Sequence, residues 1–378
     1  MKSKQKSHRI LSLVFIFFMW LSLPGIISAA SNNDKYGFID KTGEVVINPR
    51  FDQAGPFYDG LARVSINNKY GYINKRGDLV VDFQFDHVTD FLEGQAGVCV
   101  NDESFSQGLR CGIINKEGEI KKELATDFLN ISLQQGLTPF LDYDTKENKK
   151  GSGDWGFKDA NNKIVIPPQF EAAYGFSEGL AMVLNADNKY GFIDETGKII
   201  IEPQYEVCGS GGNGFFKEGL AIVATSSEEA GRGKCGVIDK EGNWVVKPTF
   251  KHVAPYSEGL AAVWIKDNDS DKWGFIDKKG NMVIEPKFDI VNNFHEGLAS
   301  FEDKGKYGFI DKTGEIVIPV QFDYADNFHE GLTHVKKGDK FGFIDKSGKV
   351  VIGFQFDFVS NFNEGLALFG PDMPEGYY

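Results

Sequence analysis

The sequence predicts an all-β fold in which nine tandem repeats of about 34 residues close into a propeller-like toroid. Three observations carry this expectation. An aromatic-Gly-aromatic-Ile core recurs with its glycine at Gly37, Gly71, Gly112, Gly156, Gly191, Gly236, Gly274, Gly308 and Gly342. A second signature, acidic-Gly-Leu-Ala, recurs around Gly60, Gly94, Gly136, Gly179, Gly219, Gly259, Gly297, Gly331 and Gly365, 23 residues after the first glycine in seven of the nine units. The third observation is that the array opens with NDKYGFID, which lacks its usual preceding GLAxV partner, and closes with EGLALF, which lacks its usual following YGFID. Repeats bury their faces on neighbours and need polar caps when an array is left open. Here the two ends are the halves of one hairpin, and pairing Leu366–Phe369 with Lys35–Ile39 removes both edges. An open or spiral β-solenoid of the same units is the alternative.

Within a unit the order is YGFID, a DKTGE turn, VVI, PxFDxA and FxEGLAxV. Alternation with β-branched and aromatic residues makes YGFID, VVI and GLAxV strands. Asp bonds the turn backbone and Gly supplies a positive φ in DKxG, while the proline after VVI ends that strand. FDxA reads either as a short fourth strand or as an irregular return. Between units, Asn67-Asn68, Lys304-Gly305 and Gly338-Asp339 fit two-residue primed turns. That register sets Ser65 opposite Tyr70, Val64 opposite Gly71 and Ala62 opposite Ile73. The glycine of the aromatic-Gly pair therefore reads as a packing residue, with Val64 filling the space a Cβ would occupy.

Residues 1–30 read as a signal peptide cleaved near Ala30: a basic MKSKQKSHR, an apolar ILSLVFIFFMWLSL and the small residues Ser28-Ala29-Ala30. The array then occupies 31–378, in units 35–68, 69–109, 110–153, 154–188, 189–233, 234–271, 272–305, 306–339 and 340–369, with a short tail 370–378. Secretion or display at the cell surface is expected, without membrane insertion after cleavage and as a monomer. Export removes Lys2, Lys4, Lys6 and Arg9, so 41 basic residues become 37 against 54 acids, a net charge of about −17. Such a chain repels phosphate backbones and argues against nucleic-acid partners.

Four cysteines remain after the leader, an even number in an exported chain. Cys99 and Cys111 occupy the facing slots of Ser65 and Tyr70, which predicts a Cys99–Cys111 disulfide. Cys235 replaces another aromatic before glycine, and a Cys208–Cys235 bridge follows from the same neighbourhood; free buried thiols are the alternative for that pair.

These residues resemble the WG-repeat family of bacterial proteins, with the Trp-Gly pair standing literally as Trp155-Gly156 and Trp273-Gly274. The resemblance spans residues 35 to 369. It implies an all-β repeat scaffold, often exported, with no general activity and no catalytic residues to carry over. Unit three departs most, since EIKKELATDFLNISLQQGL follows Gly118 and the PxFD segment is missing.

Candidate chemistry is sparse. His295 and His329 precede Glu296 and Glu330 in adjacent units, which suggests a metal site, while duplication of the last three units explains the shared histidine without a ligand. Asp267, Asp269 and Asp271 have the D-x-D-x-D spacing that opens a calcium loop but lack its downstream Gly and Glu; a solvated hairpin is the competing reading. Acids such as Asp311 in the first turn and Glu330 before the second glycine read as turn residues, and a ring of them at one mouth of the toroid is a minor cation-binding possibility. No nucleophile elbow, zinc helix motif or phosphate loop occurs. The expected function is a non-catalytic exported scaffold without a cofactor, calcium being the one cation considered, that binds a protein or glycan ligand at loops 101–110, 142–154, 225–234 and 266–271. The alternative is an extracellular carbohydrate hydrolase using paired carboxylates.

Overall fold

Sequence-adjacent hairpins dominate the architecture. The computed structural model describes residues 34–104, 108–124, 136–142, 154–159, 163–208, 214–225, 234–267 and 270–371, and among these there is no helix. The expected signal peptide and the tail from residue 372 lie outside the described residues.

Among the described residues the strands form nine antiparallel sheets, and all but sheet 1 run as meanders of consecutive strands. Strands are lettered a to d across a sheet. Sheet 1 joins Phe358–Val359, Leu366–Gly370, Tyr36–Asp40 and Val45–Phe51. Sheet 2 runs Gln53–Tyr58, Leu61–Ile66, Lys69–Asn74 and Leu79–Phe85; sheet 3 runs His87–Val88, Gln95–Asn101, Leu109–Asn115 and Ile120–Leu124. Sheet 4 has Thr138–Asp142, Asp154–Lys158 and Ile164–Phe170 as b to d. Sheet 5 contains Ala172–Ala173, Ala181–Leu184, Tyr190–Ile193 and Ile199–Tyr205, and sheet 6 has Ala221–Ala224, Cys235–Ile238 and Trp244–Phe250 as b to d. Sheets 7, 8 and 9 have their c strands at Ser270–Asp277, Lys306–Asp311 and Lys340–Asp345. FDxA is thus a short strand in most units, as in Tyr324–Ala325 of sheet 9.

Sheet 1 decides between the two arrangements. It takes a and b from the end of the chain and c and d from its beginning, pairing Gly37 with Phe369, Phe38 with Leu368, Ile39 with Ala367 and Asp40 with Leu366. The fold is a closed nine-bladed β-propeller, and the open solenoid is excluded. Repeat and blade are out of phase: a sequence unit reads c–d–a–b, so each boundary falls at a b–c hairpin.

Blades stack through aromatic rings. The c-strand aromatic after the glycine meets the phenylalanine at the next blade's a–b corner edge to face, as in Phe38–Phe57 at 4.9 Å, Phe275–Phe294 at 4.8 Å and Phe309–Phe328 at 5.0 Å. Such pairs add about 0.5–1.5 kcal/mol each beyond area burial, which accounts for a sequence so rich in Phe. The b and c strands are buried on both faces. The d strand alternates, so Ile318 is buried while Ile316 and Val317 are exposed.

The repeat glycines have a different neighbour from the one expected. Val64 does pair with Gly71. A Cβ built at Gly37, however, would lie 2.6 Å from the Ile47 carbonyl oxygen and 2.8 Å from the Pro49 nitrogen, backbone atoms of strand d. The cause is a bulge: Tyr36 and Phe38, two apart, face Phe51 and Ile47, four apart, so strand d bows over the glycine.

Candidate functional site

In a four-stranded meander the a–b and c–d turns leave one end of the sheet and the b–c loop leaves the other. A closed ring of like-oriented blades therefore has one mouth of E-G and DKxG turns and an opposite mouth of b–c loops.

At the first mouth, Glu-Gly forms a two-residue turn with both φ values positive, 52° at Glu330 and 86° at Gly331. His329 and Leu332 exchange two backbone hydrogen bonds around it. Asn-Gly is the usual choice for this turn, and a glutamate in the left-handed region is uncommon. Its carboxylate supplies the reason. Glu330 accepts the N–H of Gly365 in the next blade at 3.0 Å and pairs with that blade's Lys41 at 3.0 Å. The same clasp joins Glu178 to Gly219 and Lys240, Glu218 to Gly259 and Lys278, Glu258 to Gly297 and Lys312, and Glu296 to Gly331 and Lys346. Glu364 of blade 1 closes the circle onto Gly60 and Lys75 of blade 2. Asp59 does the same to Gly94, with Lys116 reaching the Asp59 carbonyl. Burial alone would raise the Glu330 carboxyl, but hydrogen bonds from Lys41, Gly365 and Glu364 outweigh it and hold it below the usual range. These acids are therefore fasteners between blades, each bonded to a lysine and to a backbone N–H of its neighbour.

The first-turn acids are likewise occupied. Asp311 accepts from the Thr313 N–H at 2.9 Å, the Thr313 hydroxyl at 2.6 Å and the Glu315 N–H at 3.0 Å, which holds its carboxyl low.

At the opposite mouth a second staple recurs. The lysine before the aromatic-Gly pair bonds the aspartate of FD 17 residues later, as Lys69 does with Asp86 at 2.6 Å. The other oxygen of Asp86 accepts the Asn101 N–H of the next blade at 2.8 Å. Between blades 6 and 7 the charges are exchanged, with Lys251 against Asp271 at 3.3 Å. Loops 101–110, 142–154, 225–234 and 266–271 are all b–c connections and leave from this one mouth. Residues 105–107, 143–153, 226–233 and 268–269 of those loops lie outside the described residues.

His295 and His329 do come together, with ring centroids 5.4 Å apart. Burial, then the charge of His329, holds His295 below the ordinary imidazole range. Their neighbours Glu296 and Glu330 turn away into the clasps. Among the described residues no group of three His, Cys, Asp or Glu is placed to hold a metal ion. Of the second candidate set, Asp267 pairs with Ser270 in the hairpin and Asp271 with Lys251, and Asp269 lies outside the described residues.

Both cysteine pairs are bonded. Cys99–Cys111 bridges directly facing residues of blade 3, and Cys208–Cys235 spans 27 residues in blade 6.

One polar cluster has no counterpart in the sequence reading. His334, buried on strand b of blade 9, contacts Asn361 of blade 1 at 3.0 Å, and the Asn361 amide donates to Asp326 at 3.0 Å. Burial keeps the His334 imidazole well below its usual range. The equivalent positions of other units hold Arg63, Gly97, Pro139, Met182, Ile222, Ala262, Ser300 and Leu368, of which Arg63 makes a like contact, to Asp90 of the next blade at 2.8 Å, so the sequence gives no regular signal for it. The clasps did leave a signal, because lysine follows the first-turn Asp or Asn wherever the partner is an acid in a clasp.

A family model described as a WG containing repeat matches residues 36–70, 70–103, 155–190, 190–225, 236–267, 273–307, 307–341 and 341–369. No curated protein matches the sequence. Among solved structures, one described as the eukaryotic initiation factor superposes with a TM-score of 0.54 at 10% identity, covering 89% of this chain and 98% of the other. BamB from Moraxella catarrhalis gives 0.37 at 12% identity, covering 84% and 95%. The extracellular domain of BT4673 from B. thetaiotaomicron gives 0.31 at 11%, covering 88% and 54%. At such identities the first likeness speaks for the fold alone.

Proposed function

The chain belongs to the family of proteins built from WG-containing repeats, and from that premise we propose that it is an exported, non-catalytic scaffold that binds a protein or glycan ligand at its b–c mouth. The observation that carries this reading is positional. Four of the five longest insertions in the repeat are b–c connections, the fifth being the CGSGGNG run before Ala221–Ala224, so the variable surface gathers mainly at one mouth while the other is fastened at most junctions by clasps of one kind. Function in repeat scaffolds resides in such departures. The two disulfides support residence in an oxidising compartment.

Binding of residues 31–378 to arrays of glycans, wall polymers and cell-surface proteins tests the reading, with soluble product monitored in parallel. Capture of a ligand without turnover, reduced when loop 225–234 is replaced by a two-residue turn, is the expected result. Product release that a single carboxylate substitution abolishes would replace the scaffold with a hydrolase.

A further inference from the structure

We propose that the outer edge of blade 9 is a self-association site, at which two copies of this chain pair their Val350–Phe356 strands antiparallel and join two rings rim to rim.

Closing the ring satisfies the ends of the array but not the rim. Each d strand is the last of its sheet, and among the described residues none has a neighbour on its outer side. Such an edge presents a row of backbone N–H and C=O groups to any other strand, and proline or charge along it is what prevents pairing. Eight of the nine d strands are protected in this way. Proline interrupts those of blades 1, 4, 5, 6, 7 and 8, as Pro49 and Pro319 do. Blade 2 carries Asp82, and blade 3 has Lys121, Lys122 and Glu123. The d strand of blade 9, Val350–Phe356, reads VVIGFQF and has neither proline nor charge. Short β-prone segments of that composition are the ones that pair edge to edge.

Gly353 marks the same strand independently. The equivalent position holds Asn48, Asp82, Glu202, Lys247 or Pro319 in other blades. Its φ is not in the left-handed region, and a Cβ built on it would meet nothing within 4 Å. Neither the backbone nor the packing of the ring therefore calls for glycine here. Glycine inside a strand weakens it and marks a place where another backbone approaches closely.

The seven residues are also self-complementary about Gly353. A two-fold axis through it sets Val350 against Phe356 of the second copy, Val351 against Gln355 and Ile352 against Phe354. Aromatic and β-branched residues are favourable cross-strand partners, and no like charges meet. Val350 and Val351 are 45% and 40% exposed, so the pairing also covers apolar surface. Exposed β-branched pairs such as Ile316-Val317 open other d strands, so it is the missing protection that singles out blade 9.

Such pairing replaces the monomer expected from the sequence. One strand pair is a small contact, so the dimer should be reversible. Because the strands are antiparallel and each runs from the E-G mouth toward the b–c mouth, the two b–c mouths face opposite ways. The dimer could then bridge two ligands; that consequence rests on the binding function proposed above, whereas the pairing does not.

Sedimentation equilibrium of residues 31–378 over about 1–500 µM, a range in which small interfaces populate a dimer, tests the proposal. The weight-average mass is expected to rise toward twice that of the monomer. Gly353→Pro, which supplies the proline that blades 4 and 8 carry at this position, is expected to weaken association at least tenfold. Val351→Lys should do the same, and it changes only an exposed side chain, so it reports on the edge even where the proline disturbs the strand. Val317→Lys, the matched position on the protected edge of blade 8, should leave association unchanged. A monomer throughout the range would overturn the proposal, as would a dimer that neither blade 9 variant weakens or that Val317→Lys weakens equally. Amides of Val350–Phe356 that gain protection from hydrogen exchange only when a foreign polypeptide is added would assign the edge to another protein and overturn the homodimer.

Discussion

Lys41 and Glu330, 289 residues apart in sequence, form an ion pair at 3.0 Å across the closing junction of the ring. The contact shows how one short motif does two jobs. Glu-Gly turns the chain within a blade, and the glutamate also fastens that blade to the next.

Replacing Glu330 with Asn separates those jobs, because Asn suits the left-handed turn position but loses the charge that Lys41 and the Gly365 N–H engage. The pair is partly exposed, with side-chain exposures of 42% and 33%, so a screened value applies. A loss of about 1 kcal/mol is expected, or roughly 1–2 °C in melting temperature for a chain of this size. Glu195→Gln, at a position without a clasp, should leave the calorimetric transition in place.

Two glycines of one unit should respond in opposite order to their conformational reputation. At Gly331, φ is 86° but a Cβ would meet nothing within 4 Å, so alanine costs only local strain of about 1 kcal/mol. At Gly308 the backbone is ordinary, yet a Cβ would lie 2.5 Å from the Ile318 carbonyl oxygen. Strand d must move, and Gly308→Ala is expected to cost more, about 2–3 kcal/mol, by equilibrium denaturation.

Acid should destabilise the ring in two windows. Burial holds His252, His295 and His334 below the ordinary imidazole range. The unfolded chain then binds more protons between those depressed values and about 6.5, so their contribution is complete above about pH 6.5 and is lost as pH falls toward them. The clasp carboxyls Glu178, Glu218, Glu258, Glu296 and Glu330 are also depressed, and their share is lost below about pH 4.5. Melting temperature followed from pH 8 to pH 3 should fall in both ranges, and His334→Gln should flatten the upper one.

Reduction should matter at both bridges. Loops closed over separations of 12 and 27 residues correspond to about 3 and about 3.5 kcal/mol of chain entropy. Thiol titration of the denatured, unreduced protein should find none of the four sulfurs free, and reductant should lower the unfolding midpoint in urea.

Much of this fold was legible because the chain repeats itself. The glycine spacing gave nine units, the complementary ends gave closure, and the register of Ser65 and Tyr70 placed Cys99 opposite Cys111. What stayed hidden needed the third dimension. The space beside Gly37 belongs to a bulge in strand d, which pairing of b with c does not reveal. Glu330 read as a turn residue because its second partner lies in another blade. Once blades are adjacent, Lys at 41, 75, 240, 278, 312 and 346 marks the junctions that are clasped. His334 was illegible for the opposite reason: its position is filled by residues as different as Arg63, Ile222, Ala262 and Ser300 in other units, so the histidine leaves no period to find.

Small-angle scattering of residues 31–378 in solution tests ring closure most directly. Nine sheets stacked in a row at about 10 Å spacing would reach about 90 Å, whereas the closed ring should show a maximum dimension of about 55–60 Å and a radius of gyration somewhat above 20 Å. A profile with a maximum dimension near 90 Å, at a concentration where the protein is monomeric, would contradict the pairing of Tyr36–Asp40 with Leu366–Gly370.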